Sequence, residues 1–305
     1  MDDIIINLGI SSLYEPFSES LRSIMKTTSH KINVCSSTGQ MCGTVTSFQL
    51  NYFEFLGKYY NDGKHEDLIL DNYDNNMTSL FCIITNSLLF SSLKLSPINV
   101  VLMVKIMDDY KMIQDVAIYI MEQIDSYYLT WETFSEITNL YNSKIMGPMM
   151  KLLHDKTLIG IENNVNIKLI PHDCFSFAFG RRVICRLLKE SNFNNSETKI
   201  ANELCDKIME SKLSLKAVYD LLSCVYWFNV DQDLIIPKLE VMKTKYLEFN
   251  IPKKILSTFT SRTSMIKSYN SKHNSFKFNK KFNLKMRPGT EYSKSFQNSA
   301  TMHVY

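Results

Sequence analysis

Apolar and polar positions follow two different rhythms along this chain. From Lys31 to Ser37 they alternate with the period of a strand, and a turn follows at Thr38 and Gly39. A mostly apolar run from Phe48 to Tyr60 reads as helical. A charged gap with Asn61, Asp62 and Gly63 separates it from a short strand, Asp67–Leu70, and helical spacing returns over Asn76–Leu89. Ser96 is suited to accept a backbone N–H at a helix start, and Pro97 suits the first helical position because its missing N–H costs nothing there. That helix reaches a break near Asp108 and Asp109, with Ile98, Val101, Leu102 and Ile106 on one face. A second helix, Ile113–Ile124, carries the stripe Ile113, Val116, Ile120 and Ile124. The two carboxylates at the break are expected to be solvated. Neither strand is long enough to fold alone, so the pattern predicts a small sheet, holding Asn33 and Leu68, under the faces that begin at Ile98 and Ile113. An earlier helix is predicted from Pro16 to Met25.

Residues 126–260 read as nearly all helix. Thr130 is placed to cap a helix with Glu132 in its first turn, followed by Phe134, Ile137 and Tyr141 at helical spacing. Pro148 opens a helix expected to end near His154. Later stripes are Ile200, Leu204, Ile208, then Leu215, Val218, Leu222, Val225, and a last one that Pro237 starts with Leu239, Met242 and Tyr246. One interruption stands out. Leu158–Ile161 and Val165–Ile170 flank Glu162, Asn163 and Asn164, which predicts a β-hairpin over 158–170. Two helices and a hairpin are the layout of a winged helix. The helix before this hairpin, however, offers Met149, Met150, Leu152 and Leu153, with Lys144 and Lys151 as its main nearby bases, where a reader of DNA needs polar and basic groups.

Composition narrows the class. The chain has 305 residues, 45% hydrophobic and 21% charged, which is enough to bury a full core and too apolar for a disordered chain. Only nine Gly and seven Pro favour helices over many tight hairpins. The start, Met1-Asp2-Asp3 followed by a short apolar run, lacks the basic region and longer apolar core of a secretory signal. No apolar run nears the ~18 residues of a membrane span. Seven scattered cysteines, with no Cys-x-x-Cys, point to reduced thiols in a cytoplasmic or nuclear protein. Heavy use of Asn, Ile, Lys and Tyr suggests an AT-rich genome. The net charge of +3 conceals an asymmetry: residues 261–305 carry nine Lys or Arg against one acid, a net +8, leaving −5 elsewhere.

The order of elements over 31–125 resembles a BTB/POZ domain. The segment Leu95–Glu122 resembles that family's closing pair of helices, and Ser47–Leu56 resembles an earlier helix of it. The succession of short helices in 127–260 resembles the BACK region that follows many BTB domains. The chain departs from the family pattern at His30 and Lys31, where an Asp is usual. It departs again at Gly43–Thr46, where a His opens a helix, and at Leu88–Phe90, in place of a Tyr-Thr-Gly. The resemblance implies an α+β, predominantly helical fold: a BTB/POZ-like domain over 1–126, a BACK-like helical region over 127–260, and a basic, partly disordered tail over 261–305. It also implies self-association, to which a helix ahead of the first strand often contributes, and recruitment of a cullin-3 ubiquitin ligase in many members. Compact BTB-BACK proteins occur in large DNA viruses, which act in a host cell. No Kelch or WD repeat follows, so a stand-alone adaptor or a competitor is expected as readily as a ligase adaptor.

Candidate chemistry is sparse. His172-Asp173-Cys174 invites a nucleophile or metal reading, but Asp173 more simply caps the helix carrying Val183, Ile184 and Leu187. The six His show no zinc spacing, and Gly180-Arg181-Arg182 lacks the Gly-rich cradle and Lys of a phosphate loop. Asp108, Asp109 and Glu122 do not form an acid/base pair. Met146, Met149 and Met150 read as core filler. No catalytic, cofactor-binding or metal residue is assigned, so the leading expectation is a non-enzymatic protein–protein interaction module without cofactor, membrane or small-molecule substrate. The alternative is a nucleic-acid-binding protein using the 158–170 hairpin or the tail. In the tail Lys277, Lys280, Lys281, Lys285 and Arg287 would meet phosphates while interleaved Phe residues stack on bases.

Overall fold

Strand β2 (Lys31–Ser36) is the axis of the first sheet. It pairs antiparallel with β3 (Met41–Thr46), Lys31 opposite Thr46, and parallel with β4 (Asp67–Leu70), Val34 opposite Leu68. A second sheet pairs β1 (Ile4–Asn7) antiparallel with β5 (Ser92–Leu95), Ile4 opposite Leu95. The computed structural model describes residues 3–7, 30–60, 66–88, 92–141, 145–162, 166–190 and 196–260. Among them the chain is predominantly helical with these two small sheets, an α+β arrangement. It divides into two compact units at residues 163/164. The helix expected over Pro16–Met25 and the tail from 261 lie outside the described residues.

In the first unit the alternation of β2 puts Ile32, Val34 and Ser36 inward, and Leu68 and Leu70 of β4 join them. Thr46 ends β3 and caps the next helix in one step. Its hydroxyl accepts the Gln49 N–H, and the Gln49 side chain accepts the Thr46 N–H at 2.8 Å. The expected single helix over 48–60 is two short ones, α1 (Ser47–Leu50) and α2 (Glu54–Tyr60). The break exists because Phe53 bridges Met112, and the Tyr52 carbonyl accepts the Ile113 N–H at 2.9 Å.

Helix α3 (Asn75–Ser87), capped by Asp74 on the Met77 N–H at 2.8 Å, is what covers the three-stranded sheet, packing on β2 and β3. Helix α4 (Pro97–Asp109) lies behind α3 and also meets β5, while α5 (Gln114–Gln123) meets β1. The Ser96 cap and Pro97 start are as expected, with Asn99 N–H on the Ser96 hydroxyl at 3.3 Å. Ile98 and Ile113 are exposed, contrary to the face assigned to them. Helix α4 is buried through Val100, Val101, Met103, Val104, Ile106 and Met107, a surface too broad for one stripe. Its C-cap, Tyr110, joins a ring cluster: Phe53 and Phe81 are 5.4 Å apart, and Tyr110 lies 5.5 Å from both Phe81 and Tyr73. Full burial of each Phe is worth about 1.5–3 kcal/mol.

The same core runs on through α6 (Trp131–Tyr141) and α7 (Pro148–Glu162), since Ile137, Met150 and Leu153 belong to it. The compact unit therefore passes the boundary expected at 126/127. Helix α7 also overturns the hairpin over 158–170. Residues Met150, Leu153, Thr157 and Ile161 form one buried helical face through Glu162, and Ile167–Leu169 is a short 3-10 turn. Gly160, inside the expected first strand of that hairpin, is instead a close-approach point of the helix. A Cβ there would stand 2.2 Å from the Ser126 carbonyl oxygen and 2.7 Å from that of Leu129, so only glycine lets the helix pass.

The second unit is built from α8 (His172–Ser176), α9 (Ala178–Glu190), α10 (Glu197–Glu210), α11 (Leu215–Leu222) and α12 (Gln232–Lys245), with a last helical segment over 253–260. Ser196 and Ser214 cap α10 and α11 through the N–H groups of Lys199 and Ala217, each at 3.3 Å. Asp173 does not cap the helix of Val183, Ile184 and Leu187. The chain breaks at Phe177, and Asp173 sits in the first turn of the separate α8. Pro237 lies inside α12 rather than starting it, because Asp231 already caps the helix through the Asp233 N–H at 3.1 Å.

Candidate interaction surface

The outward face of the β3-β2-β4 sheet follows from strand alternation. With Ile32, Val34, Leu68 and Leu70 committed to the core, Asn33, Cys35, Asp67 and Ile69 must point away. Register then lines them up. Cys35 lies opposite Ile69 on one side and Met41 on the other, giving a row Met41–Cys35–Ile69 across three strands. Met41 is 55% exposed and Ile69 56%. The neighbouring row is polar, and Asn33 donates to the Asp67 carboxylate at 2.8 Å. A second apolar corner forms where the α1–α2 break meets the α4–α5 joint. Phe55 is exposed there with the Lys111 ammonium 4.7 Å from its ring centroid, beside the exposed Ile113. An apolar row rimmed by polar side chains is the pattern of a surface that meets another protein.

The joint behind that corner is not a solvated break. Asp108 is half-buried, and its carboxylate accepts the N–H groups of Met149 and Met150, at 3.1 and 2.9 Å, at the start of α7. Burial raises its pKa above the ordinary carboxylate range, and those two N–H groups pull the other way. Gly147 makes the approach feasible, since a Cβ there would lie 2.3 Å from the Asp108 carboxyl carbon. Asp109 accepts the Tyr73 hydroxyl at 2.8 Å and pairs with Lys105. Burial first, and Asp109 second, push the Tyr73 phenol well above its usual value. Both carboxylates are therefore ties within the fold. Met150 is fully buried, with Met146 and Met149 packed against the same core.

In the second unit the His172 cluster differs from its sequence reading. Cys174 is buried, while His172 Nδ1 lies 3.2 Å from the Ser211 hydroxyl and its Nε2 3.5 Å from the Glu210 carboxylate. That hydroxyl, imidazole and carboxylate arrangement has the parts of a nucleophilic triad, but Ser211 is only 2% exposed. Its carbonyl is instead held by Lys245 at 2.6 Å and by the Tyr246 hydroxyl at 3.3 Å. The cluster closes the end of α10. Arg181 binds the carbonyls of Phe175 and Ser176, at 3.0 and 2.6 Å, and so serves the α8–α9 break rather than a phosphate.

Among the described residues no group of His, Cys, Asp and Glu could hold a metal ion, and no helix is long and apolar enough to cross a membrane. Lys277, Lys280, Lys281, Lys285 and Arg287 lie outside the described residues. The hairpin half of the nucleic-acid reading is removed by the helix over 148–162. Neither a family model, nor a curated protein, nor a solved structure matches this chain. The apolar sheet row was missed in sequence because it depends on which residue of β3 stands opposite Cys35. A register shift after Val34, at the bulge, decides that.

Proposed function

We propose that this chain is a non-enzymatic protein–protein interaction module with a BTB/POZ-like first unit and a BACK-like helical second unit. In this reading it self-associates and engages cullin-3, as a ubiquitin-ligase adaptor or as a competitor, in the cytoplasm or nucleus. The observation that carries the reading is the order of elements in the first core: a hairpin, a short helical pair, a parallel third strand, a covering helix, and the closing pair α4–α5. That is the order the resemblance calls for. The exposed row Met41–Cys35–Ile69 and the Phe55 corner add apolar area for a partner to cover.

The test is light scattering on the purified full chain across micromolar concentrations, with titration of purified cullin-3. Assembly into dimers or larger, with cullin-3 bound, supports the proposal. A monomer throughout, with no cullin-3 bound, overturns it.

A further inference from the structure

Cys185 and Cys224 come from different helical segments and meet at one carbonyl. Cys185 lies in the third turn of α9, and Cys224 lies two residues past the end of α11, against which α9 packs. The Cys224 thiol donates to the main-chain oxygen of Asp220 at 3.3 Å, and the Cys185 sulfur lies 3.9 Å from the same oxygen with its S–H shared with the Cys224 sulfur. Their exposure is unequal. Cys185 is half-buried and reachable from solvent, whereas Cys224 is 2% exposed. One sulfur is placed to meet a small oxidant, and the other is held behind it.

We propose that this pair is a redox-sensitive site, oxidised by hydrogen peroxide to a disulfide that pins α9 to the end of α11. The Cys185 sulfur attacks one peroxide oxygen. An S–O bond forms, the O–O bond breaks, and the departing oxygen takes a proton and leaves as water. The Cys224 sulfur then attacks the Cys185 sulfur. The S–S bond forms, the S–O bond breaks, and a second water leaves with the Cys224 proton. Two electrons pass from the thiols to the peroxide, so one peroxide yields two waters. The Asp220 carbonyl loses the Cys224 S–H donor but keeps the Ser223 hydroxyl at 2.6 Å, so the helix end is not stripped.

The rate follows from the surroundings. The bond to Cys224 first, and burial second, hold the Cys185 thiol well above its ordinary range; Asp220 adds to this, and Lys189 on α9 opposes it. A thiol kept protonated reacts slowly. The cross-link closes a loop of roughly 40 residues, which restricts the unfolded chain strongly.

The full chain is treated with hydrogen peroxide, its remaining thiols are alkylated, and it is digested without reductant for mass spectrometry. The expected result is a Cys185–Cys224 linked peptide as the dominant disulfide, lost on adding dithiothreitol. Thermal unfolding of the second unit should shift up by about 5–10 °C, and this shift should vanish in Cys185→Ser. Recovery of both thiols alkylated, or of Cys185 over-oxidised with no link, or of Cys224 linked to another cysteine, overturns the proposal. The peptide map on the unsubstituted protein decides the matter even if Cys224→Ser fails to fold.

Discussion

In the first unit a carboxylate closes the N-terminus of a helix, and in the second an ammonium closes the C-terminus of one. Asp108 at the end of α4 takes two N–H groups of α7, while Lys245 at the end of α12 reaches the carbonyls of Ile208, Met209 and Ser211 at the end of α10. Each charge has the sign that the helix dipole favours. The difference lies in solvent. Asp108 is half-buried against a glycine that leaves no slack, whereas Lys245 is an exposed side chain on a flexible stem with Tyr246 sharing the task. A charge tied inside is unforgiving, and a charge tied at the surface is replaceable.

The largest effect should come from the rigid side of that contrast. Gly160→Ala sets a side-chain carbon against backbone oxygens that cannot step aside, and it should cost about 3 kcal/mol in urea unfolding of the first unit. Asp108→Ala leaves two α7 N–H groups without their acceptor and should cost about 2 kcal/mol. The pH dependence sharpens the comparison. The Asp108 pKa is raised in the folded protein, so its protonated form is favoured by folding. That contribution is complete below the unfolded value, about 3.9, and is lost as pH rises through the raised folded value. The stability of the unsubstituted protein, measured relative to Asp108→Asn, should therefore fall across that window; a rise would refute the assigned direction. Lys245→Met should cost only about 1 kcal/mol, read from thermal unfolding of the second unit. Ile69→Lys, on the outer sheet face, should change stability by no more than about 0.5 kcal/mol while weakening self-association in light scattering. Equal losses for Asp108→Ala and Lys245→Met would break the contrast.

How much of this could be seen in sequence depended on the distance between cause and effect. The Ser96-Pro97 start was legible because cap and capped N–H are three residues apart. The segment Leu158–Ile161 was read as a strand, and the reason for its Gly160 lies at Ser126 and Leu129, beyond any local window. Strands β1 and β5 were not predicted: each has four residues and is defined by the other, with most of the first unit between them. Asp108 looked solvated because its partners are 41 and 42 residues away. Pro237 suggested a helix start because proline does favour first turns, but the Asp231 cap lies ahead of it. The candidate surface needed a strand register, and the Cys185–Cys224 pair needed two helices to pack. Periodicity reports neither.

The pairing of Ile4–Asn7 with Ser92–Leu95 has a consequence for synthesis. At cellular rates of elongation, the first strand leaves the ribosome on the order of ten seconds before its partner exists. Throughout that interval Ile4 and Ile6, fully covered in the finished fold, have no place to go. A nascent chain halted between these two strands presents a sticky ribbon to whatever chaperone, or whatever neighbouring polysome, reaches it first.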